Sequence, residues 1–248
     1  MRLIQARTIT EAYSCLVNAV ITEGEKVGDT REIQNCIVEI ANPHAGKILF
    51  TRRKISDEYM NAELQWYWSG DNSCKNIGSY AKMWLRLTDD GETNNSAYGY
   101  IIQNKFGRDQ LKEIIELLRH DPNSRRAVLN ISDPFLDKEK TKDYQCTIAL
   151  QFLVRKGELH ETVFMRSNDI ILGFPYDYCF FVSVGQYIAD ELNLRFVKYT
   201  HHATSMHLYD RDCKKIVSKQ SVGNFIDMKK IRSWYETKEK LKEKSHEN

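Results

Sequence analysis

The chain of 248 residues is long enough for one large single-core domain or two small ones, and its 42% hydrophobic and 28% charged residues are ordinary for a soluble globular protein. With 36 Lys and Arg against 34 Asp and Glu, the net charge of +2 makes no global case for nucleic acid or an anionic membrane, so any anion site must be a local arginine cluster. No apolar run approaches the ~18 residues of a membrane span, the polar N-terminus shows no signal peptide, and the six cysteines lack CxxC pairing, which predicts reduced thiols in a cytoplasmic setting.

Residues 1–13 read as polar and helix-like, and Thr8 to Glu11 has capping-box spacing ahead of Ala12, Leu16, Ala19 and Val20 on one helical face. A loop at Glu23–Gly28 follows, then a strand at Ile33–Ile40, a turn at Asn42–Gly46 and a short strand at Lys47–Phe50. Asp57–Ser69 is predicted helical and closed by Gly70, with Trp66 and Tyr67 packed in the core. Asp71–Gly99 is loop-rich around the apolar patch Tyr80–Leu87, the kind of irregular stretch that carries function. Arg108–His120 is an amphipathic helix, stopped by Asp121-Pro122, and Ala127–Ile131 a strand. Thr147–Arg155 and Leu159–Met165 form a hairpin about Lys156-Gly157. Tyr178–Leu192 reads as a buried helix opened by Pro175-Tyr176-Asp177. Arg195–Thr200 and a segment around Met206–Tyr209 are strands, and the charged tail from Lys229 is a solvated helix. Strands and helices without regular βαβ alternation predict an α+β fold with a mixed or largely antiparallel sheet.

Several residues could carry chemistry, each beside a plainer reading. A cysteine at a strand is ordinarily a small buried hydrophobe. Cys146, however, is flanked by Tyr144, Gln145 and Thr147 and preceded by a charged loop, and Arg166 ends the partner strand, where a guanidinium would favour the thiolate. Glu63 lies beside an aromatic cluster, where partial desolvation would raise its pKa and suit it to proton handling. Arg125-Arg126 and Arg166-Ser167 match the oxygens of a phosphate, or form surface salt bridges. His207 and Tyr209, two apart on a strand, face one side and either bond a sugar hydroxyl or pack.

In order along the chain stand ELQWYWSGDN (Glu63–Asn72), SAYG (Ser96–Gly99), DPNSRR (Asp121–Arg126), Cys146, QFLVRKGEL (Gln151–Leu159), MRSNDIILGFPYD (Met165–Asp177) and HLYDRD (His207–Asp212). Together they resemble the thymidylate synthase family across roughly residues 50 to 212. The resemblance implies a single domain over 1–248, peripheral from about residue 230, in a sheet-face homodimer that uses 5,10-methylenetetrahydrofolate and no metal. It also implies that the partner is a pyrimidine nucleoside monophosphate, not nucleic acid or a membrane. By position it makes Cys146 the nucleophile at ring C6, Glu63 the organiser of water and protons, and Tyr98 the aid to proton removal at C5. Arg166 and Ser167 would bind the phosphate, Arg125 and Arg126 would reach in from the other subunit, and His207 and Tyr209 would hold the sugar. Asp169 would meet the folate and Trp84 line its pocket. The family's N-terminal phosphate arginine has no assigned position; Arg31, Arg52 and Arg53 are the candidates.

The departures from the family pattern select a branch. Asp177 stands where synthases have Asn, and Thr147 where they have His after the nucleophile. An Asn amide donates to uracil O4 and accepts from N3–H, whereas a carboxylate accepts from the cytosine amino group and from a protonated N3. With Met165 before Arg-Ser, this resembles the cytidylate hydroxymethylases. A charged C-terminus, ending KEKLKEKSHEN, makes a poor lid, and Leu87 replaces a second tryptophan; both fit attack by water. The expected reaction is therefore hydroxymethylation of dCMP or CMP at C5. The alternatives are a divergent thymidylate synthase or dUMP hydroxymethylase, and a non-catalytic nucleotide- or RNA-binding relative.

Overall fold

The computed structural model describes residues 1–44, 48 and 55–218. The strand expected at 47–50 (Ile48 excepted), Arg52, Arg53 and the tail lie outside the described residues. In chain order the elements are β1 (Arg2–Ala6), α1 (Ile9–Glu23), β2 (Glu25–Val27), β3 (Thr30–Ile40) and α2 (Asp57–Ser69). Next come the short helices α3 (Ile77–Tyr80), α4 (Met83–Arg86) and α5 (Tyr98–Tyr100), the last continued by a π-helical turn at Ile101–Lys105. After α6 (Gln110–His120) follow β4 (Val128–Asn130), β5 (Thr147–Arg155), β6 (Glu158–Asp169), α7 (Phe174–Leu192), β7 (Arg195–Tyr209) and α8 (Asp210–Ser218).

The described strands form one mixed sheet in the order β1-β3-β7-β6-β5-β4, with β2 paired to β3. β6 and β7 are parallel, joined by the crossover helix α7, while β5–β6 and β3–β7 are antiparallel. The α+β expectation with a mixed sheet therefore holds. Helix α1 starts where Thr8 Oγ accepts from Glu11 N, and Glu11 reaches back to accept from Arg7 N at 2.9 Å. Helix α2 is capped by Ser56 and closed by Gly70 in the left-handed region, at φ 68°.

Four sequence expectations are corrected. Residues 2–6 are a strand, not helix, because Ile4 and Ala6 alternate inward and pair in parallel with β3. The loop expected at Glu23–Gly28 contains β2, which turns at Gly28 onto β3. β6 runs on to Asp169, so Arg166 and Ser167 lie within the strand and not at its end. β7 is one strand of 15 residues where two were expected.

The helices α1, α2, α6 and α7 contact the sheet or one another and share one buried core. Tyr13 of α1 stacks on Phe174 of α7, and Trp66 and Tyr67 are buried as expected. Gly185 lets α7 approach β6 and β7: a Cβ there would lie 2.5 Å from Glu161 Oε2 and 2.7 Å from the Phe196 ring. Gln151, Thr162 and Thr200, in register across β5, β6 and β7, are only half-buried, as are Phe164, His202 and Ile37. No helix among the described residues is long and apolar enough to cross a membrane.

Candidate active site

Cys146 just before β5, the ends of β6 and β7, the first turn of α7, helix α2 and the short helices before α6 line a cavity of about 460 Å³. Cys146, Glu63, Tyr98, Asp177, Arg166, Ser167, Asp169, His207, Tyr209 and Trp84 all line it. β6 and β7 deliver Arg166, Ser167, Asp169 and His207, the helices α2 and α7 deliver the carboxylates Glu63 and Asp177, and α2, α4, α5 and α7 deliver most of the aromatics.

Cys146 immediately precedes β5, and its carbonyl accepts from Arg166 N at 2.9 Å, which fixes the thiol beside the guanidinium. Arg166 turns back on the same loop: Nε donates to Gln145 O at 2.9 Å, Nη2 to Tyr144 O at 2.7 Å, and the guanidinium lies 5.4 Å from the Tyr144 ring centre. The expected neighbour is therefore present, and its charge does favour the thiolate. Burial outweighs it, with Asp177, Asp143 and Asp169 adding to the effect, and the thiol is pushed up to about 11. The guanidinium acts in the expected direction, and burial overrides it in favour of the thiol.

Ser167 Oγ lies 3.2 Å from His207 Nδ1, so the residues expected at phosphate and sugar already touch. The His207 and Tyr209 rings meet edge-on at 5.5 Å. Arg211, which the sequence reading missed, lines the cavity and covers the Tyr209 ring at 4.4 Å; its signal was its place within HLYDRD.

Glu63 projects from α2 into the opposite wall and is 6% exposed. Burial pushes its carboxyl up to about 8, Asp177 adds to that, and a hydrogen bond from Tyr59 partly offsets it. The Tyr59 hydroxyl donates to Glu63 Oε1 at 2.5 Å and accepts from Trp84 Nε1 at 3.0 Å. A chain of donors thus runs from Trp84 through Tyr59 to Glu63. Tyr59 was not among the expected site residues, although it stands one helical turn before Glu63. Tyr98 is buried against Tyr67, Phe180 and Phe181, and burial raises its phenol well above the ordinary value.

Asp169 Oδ1 accepts from Ile171 N and Leu172 N at 2.7 and 3.0 Å, which shapes the turn into α7. Asp177, in the first turns of α7, accepts from Asn168 Nδ2 at 2.7 Å. Burial pushes its carboxyl up to about 6, against the lowering effect of Asn168. Met83, Leu87, Leu172 and Tyr176 supply apolar wall beside Trp84.

Arg125 and Arg126 are exposed and do not line this cavity. Arg126 borders a separate depression of about 240 Å³ with Arg108 and Glu113. Arg31 does not line the cavity either; its Nη1 donates to the Gly24 carbonyl at 2.7 Å. Among the described residues no cluster of His, Cys, Asp and Glu has the make-up of a metal site.

The family model for thymidylate synthase matches residues 11–232. A putative thymidylate synthase of Methanocaldococcus jannaschii is 32% identical over 228 residues, covering 86% of this chain and 93% of its own length. A deoxyuridylate hydroxymethyltransferase of Bacillus phage SP01 is 29% identical over 217 residues, 81% of this chain and 57% of that protein. The deoxycytidylate 5-hydroxymethyltransferase of Enterobacteria phage T4 is 32% identical over 143 residues, 56% of each chain. The aligned stretch spans little more than half the length of either phage relative.

Proposed function

The chain belongs to the thymidylate synthase family, and from that premise we propose that it hydroxymethylates C5 of a cytidine monophosphate, dCMP or CMP. The observation that carries this reading is a carboxylate, Asp177, on the wall of the same cavity as the Cys146 thiol. A carboxylate accepts from the cytosine amino group and from protonated N3, while uracil O4 would set acceptor against acceptor.

The family uses methylenetetrahydrofolate, and the apolar wall of Trp84, Leu87, Leu172 and Tyr176, with Asp169 nearby, suits its ring system. When bound it supplies a one-carbon unit at the oxidation level of formaldehyde. The residues of the chain do the rest. Cys146 Sγ, once deprotonated, bonds to C6 as the C5–C6 double bond opens and its electron pair moves toward C5 and N3, and it leaves C6 again when that double bond re-forms. Asp177 stabilises the charge that develops along the N3 edge. Tyr98 assists removal of the C5 proton. Glu63, titrating near 8, holds or releases a proton close to neutral pH and orders the water that completes the hydroxymethyl group. Arg166 and Ser167 hold the phosphate, and His207 and Tyr209 the sugar. We also propose that the catalytic domain spans 1–248, acts in the cytoplasm and works as a homodimer in which Arg125 and Arg126 reach the partner's phosphate site.

A uridylate reading has one observation in its favour: Asp177 is raised to about 6, and a protonated carboxyl could donate to O4. Tritium release from C5-labelled dCMP, CMP and dUMP with methylenetetrahydrofolate separates the two. The expected result is release from a cytidylate with no rise in dihydrofolate absorbance. Thymidylate and dihydrofolate formed from dUMP, with both cytidylates inert, would overturn the proposal.

A further inference from the structure

Asn168 lines this cavity, and neither the sequence reading nor the mechanism assigns it a role. It is 3% exposed and lines the cavity between Ser167 and Asp169. Its Nδ2 donates to Asp177 Oδ2 at 2.7 Å. An ionised carboxylate only accepts, so the amide nitrogen must face it and Oδ1 is left as an acceptor. That Oδ1 is buried and has no hydrogen-bond partner among the described residues. Leaving a buried acceptor unpaired is unfavourable, and a purely structural asparagine would have both ends of its amide engaged. The backbone makes room for the pair: a Cβ on Gly173 would lie 2.9 Å from Asn168 Nδ2 and 3.1 Å from Asp177 Oδ2.

A ligand that satisfies this pair must bring donors. The cytosine amino group carries two N–H bonds, and uracil offers a carbonyl at the same position. We propose that Asn168 is a specificity-determining residue: Asp177 takes one amino hydrogen together with protonated N3, and Asn168 Oδ1 takes the second amino hydrogen. This rests on the cytidylate reading above and deepens it. Two acceptors converging on the exocyclic position reject uracil twice, because its O4 would leave both unpaired. A site built on such groups discriminates far more strongly than one built on shape. The Nδ2 bond also fixes the Asp177 carboxylate, so removal of the amide loosens both contacts.

The test compares dissociation constants of dCMP and dUMP, by titration calorimetry, for the unaltered enzyme, Asn168→Ala and Asn168→Cys. The cysteine variant keeps a side chain of similar volume should the alanine variant fold poorly. The expected result is a drop of at least about tenfold in the preference for dCMP over dUMP in both variants. Preference unchanged in the variants, or affinity for both nucleotides falling in step, overturns the inference and reduces Asn168 to a structural role. An unaltered enzyme that itself prefers dUMP removes the cytidylate reading, and this inference falls with it. An unaltered enzyme that prefers dCMP while the variants keep that preference removes this inference alone.

Discussion

Glu63 carries a stability penalty that serves its proposed chemistry. In the unfolded chain its carboxyl ionises near 4.5, and in the fold near 8. Between those values the folded state holds the proton and the unfolded state has lost it. Its contribution to stability is therefore fully present below about pH 4.5 and is lost as pH rises toward 8. Glu63→Gln removes the titration, and an amide oxygen there still accepts from Tyr59. The variant is expected to be more stable than the parent by roughly 5 kcal/mol at alkaline pH, since each pKa unit is worth about 1.4 kcal/mol. The gain vanishes below about pH 4.5, and activity is lost throughout. Urea denaturation at several pH values checks this; a gain independent of pH would mean that Glu63 does not titrate as described. Cys146 obeys the same physics. Residue type and order made it a candidate, and its arginine neighbour was legible from the hairpin register. The desolvation that overrides that neighbour was not, because burial is set by α2, α7 and the loop that brings Asp143. Tyr59 and Asn168 were missed for a related reason: spacing places them near the site, but only packing decides that a hydroxyl or amide turns inward.

At the scale of elements, long periodic segments were readable and short ones were not. The bounds of α2 and β5 agree with the residues predicted, because caps, Gly70 and the turn at Lys156-Gly157 mark them locally. β1 has no such marks; it becomes a strand only because β3 offers an edge. The helix at Tyr98–Tyr100 escaped notice because Gly99 is a poor helix former, yet that glycine is what the packing requires. A Cβ at position 99 would fall 1.5 Å from the carbonyl oxygen of Tyr67 in α2. Gly99→Ala must force α2 and α5 apart, and with them Glu63 and Tyr98 on opposite sides of the contact. A loss of about 3 kcal/mol is expected, at the upper end for overpacking, together with a fall in kcat. The midpoint of chemical denaturation reads the first. A variant that unfolds at the parental midpoint would mean that α5 is not held against α2.

For the whole molecule the decisive residues are Arg125 and Arg126. Both are exposed and stand outside the cavity of their own chain, although they lie in the DPNSRR block that carries the family resemblance. The half-buried sheet positions around Thr162, Phe164 and His202 offer a surface on which a second copy could bring those arginines to a foreign cavity. Two added positive charges there would also draw Cys146 toward its thiolate, which the single chain leaves as a thiol. A C2 dimer makes the two sites equivalent, each built from both chains. Cys146→Ser should be inactive for lack of the nucleophile. A chain carrying Arg125→Glu and Arg126→Glu should be inactive for lack of phosphate binding in its partner. In a heterodimer of the two, one site has lost both parts and the other has both intact. Unfolding and refolding an equal mixture is therefore expected to restore about a quarter of parental activity, since random pairing puts half of the dimers in the mixed form with one working site. Recovery that tracks the mixing ratio supports the shared site. A mixture as inactive as its components would place the arginines in their own chain's service, and a double-Glu chain active by itself would place them in none.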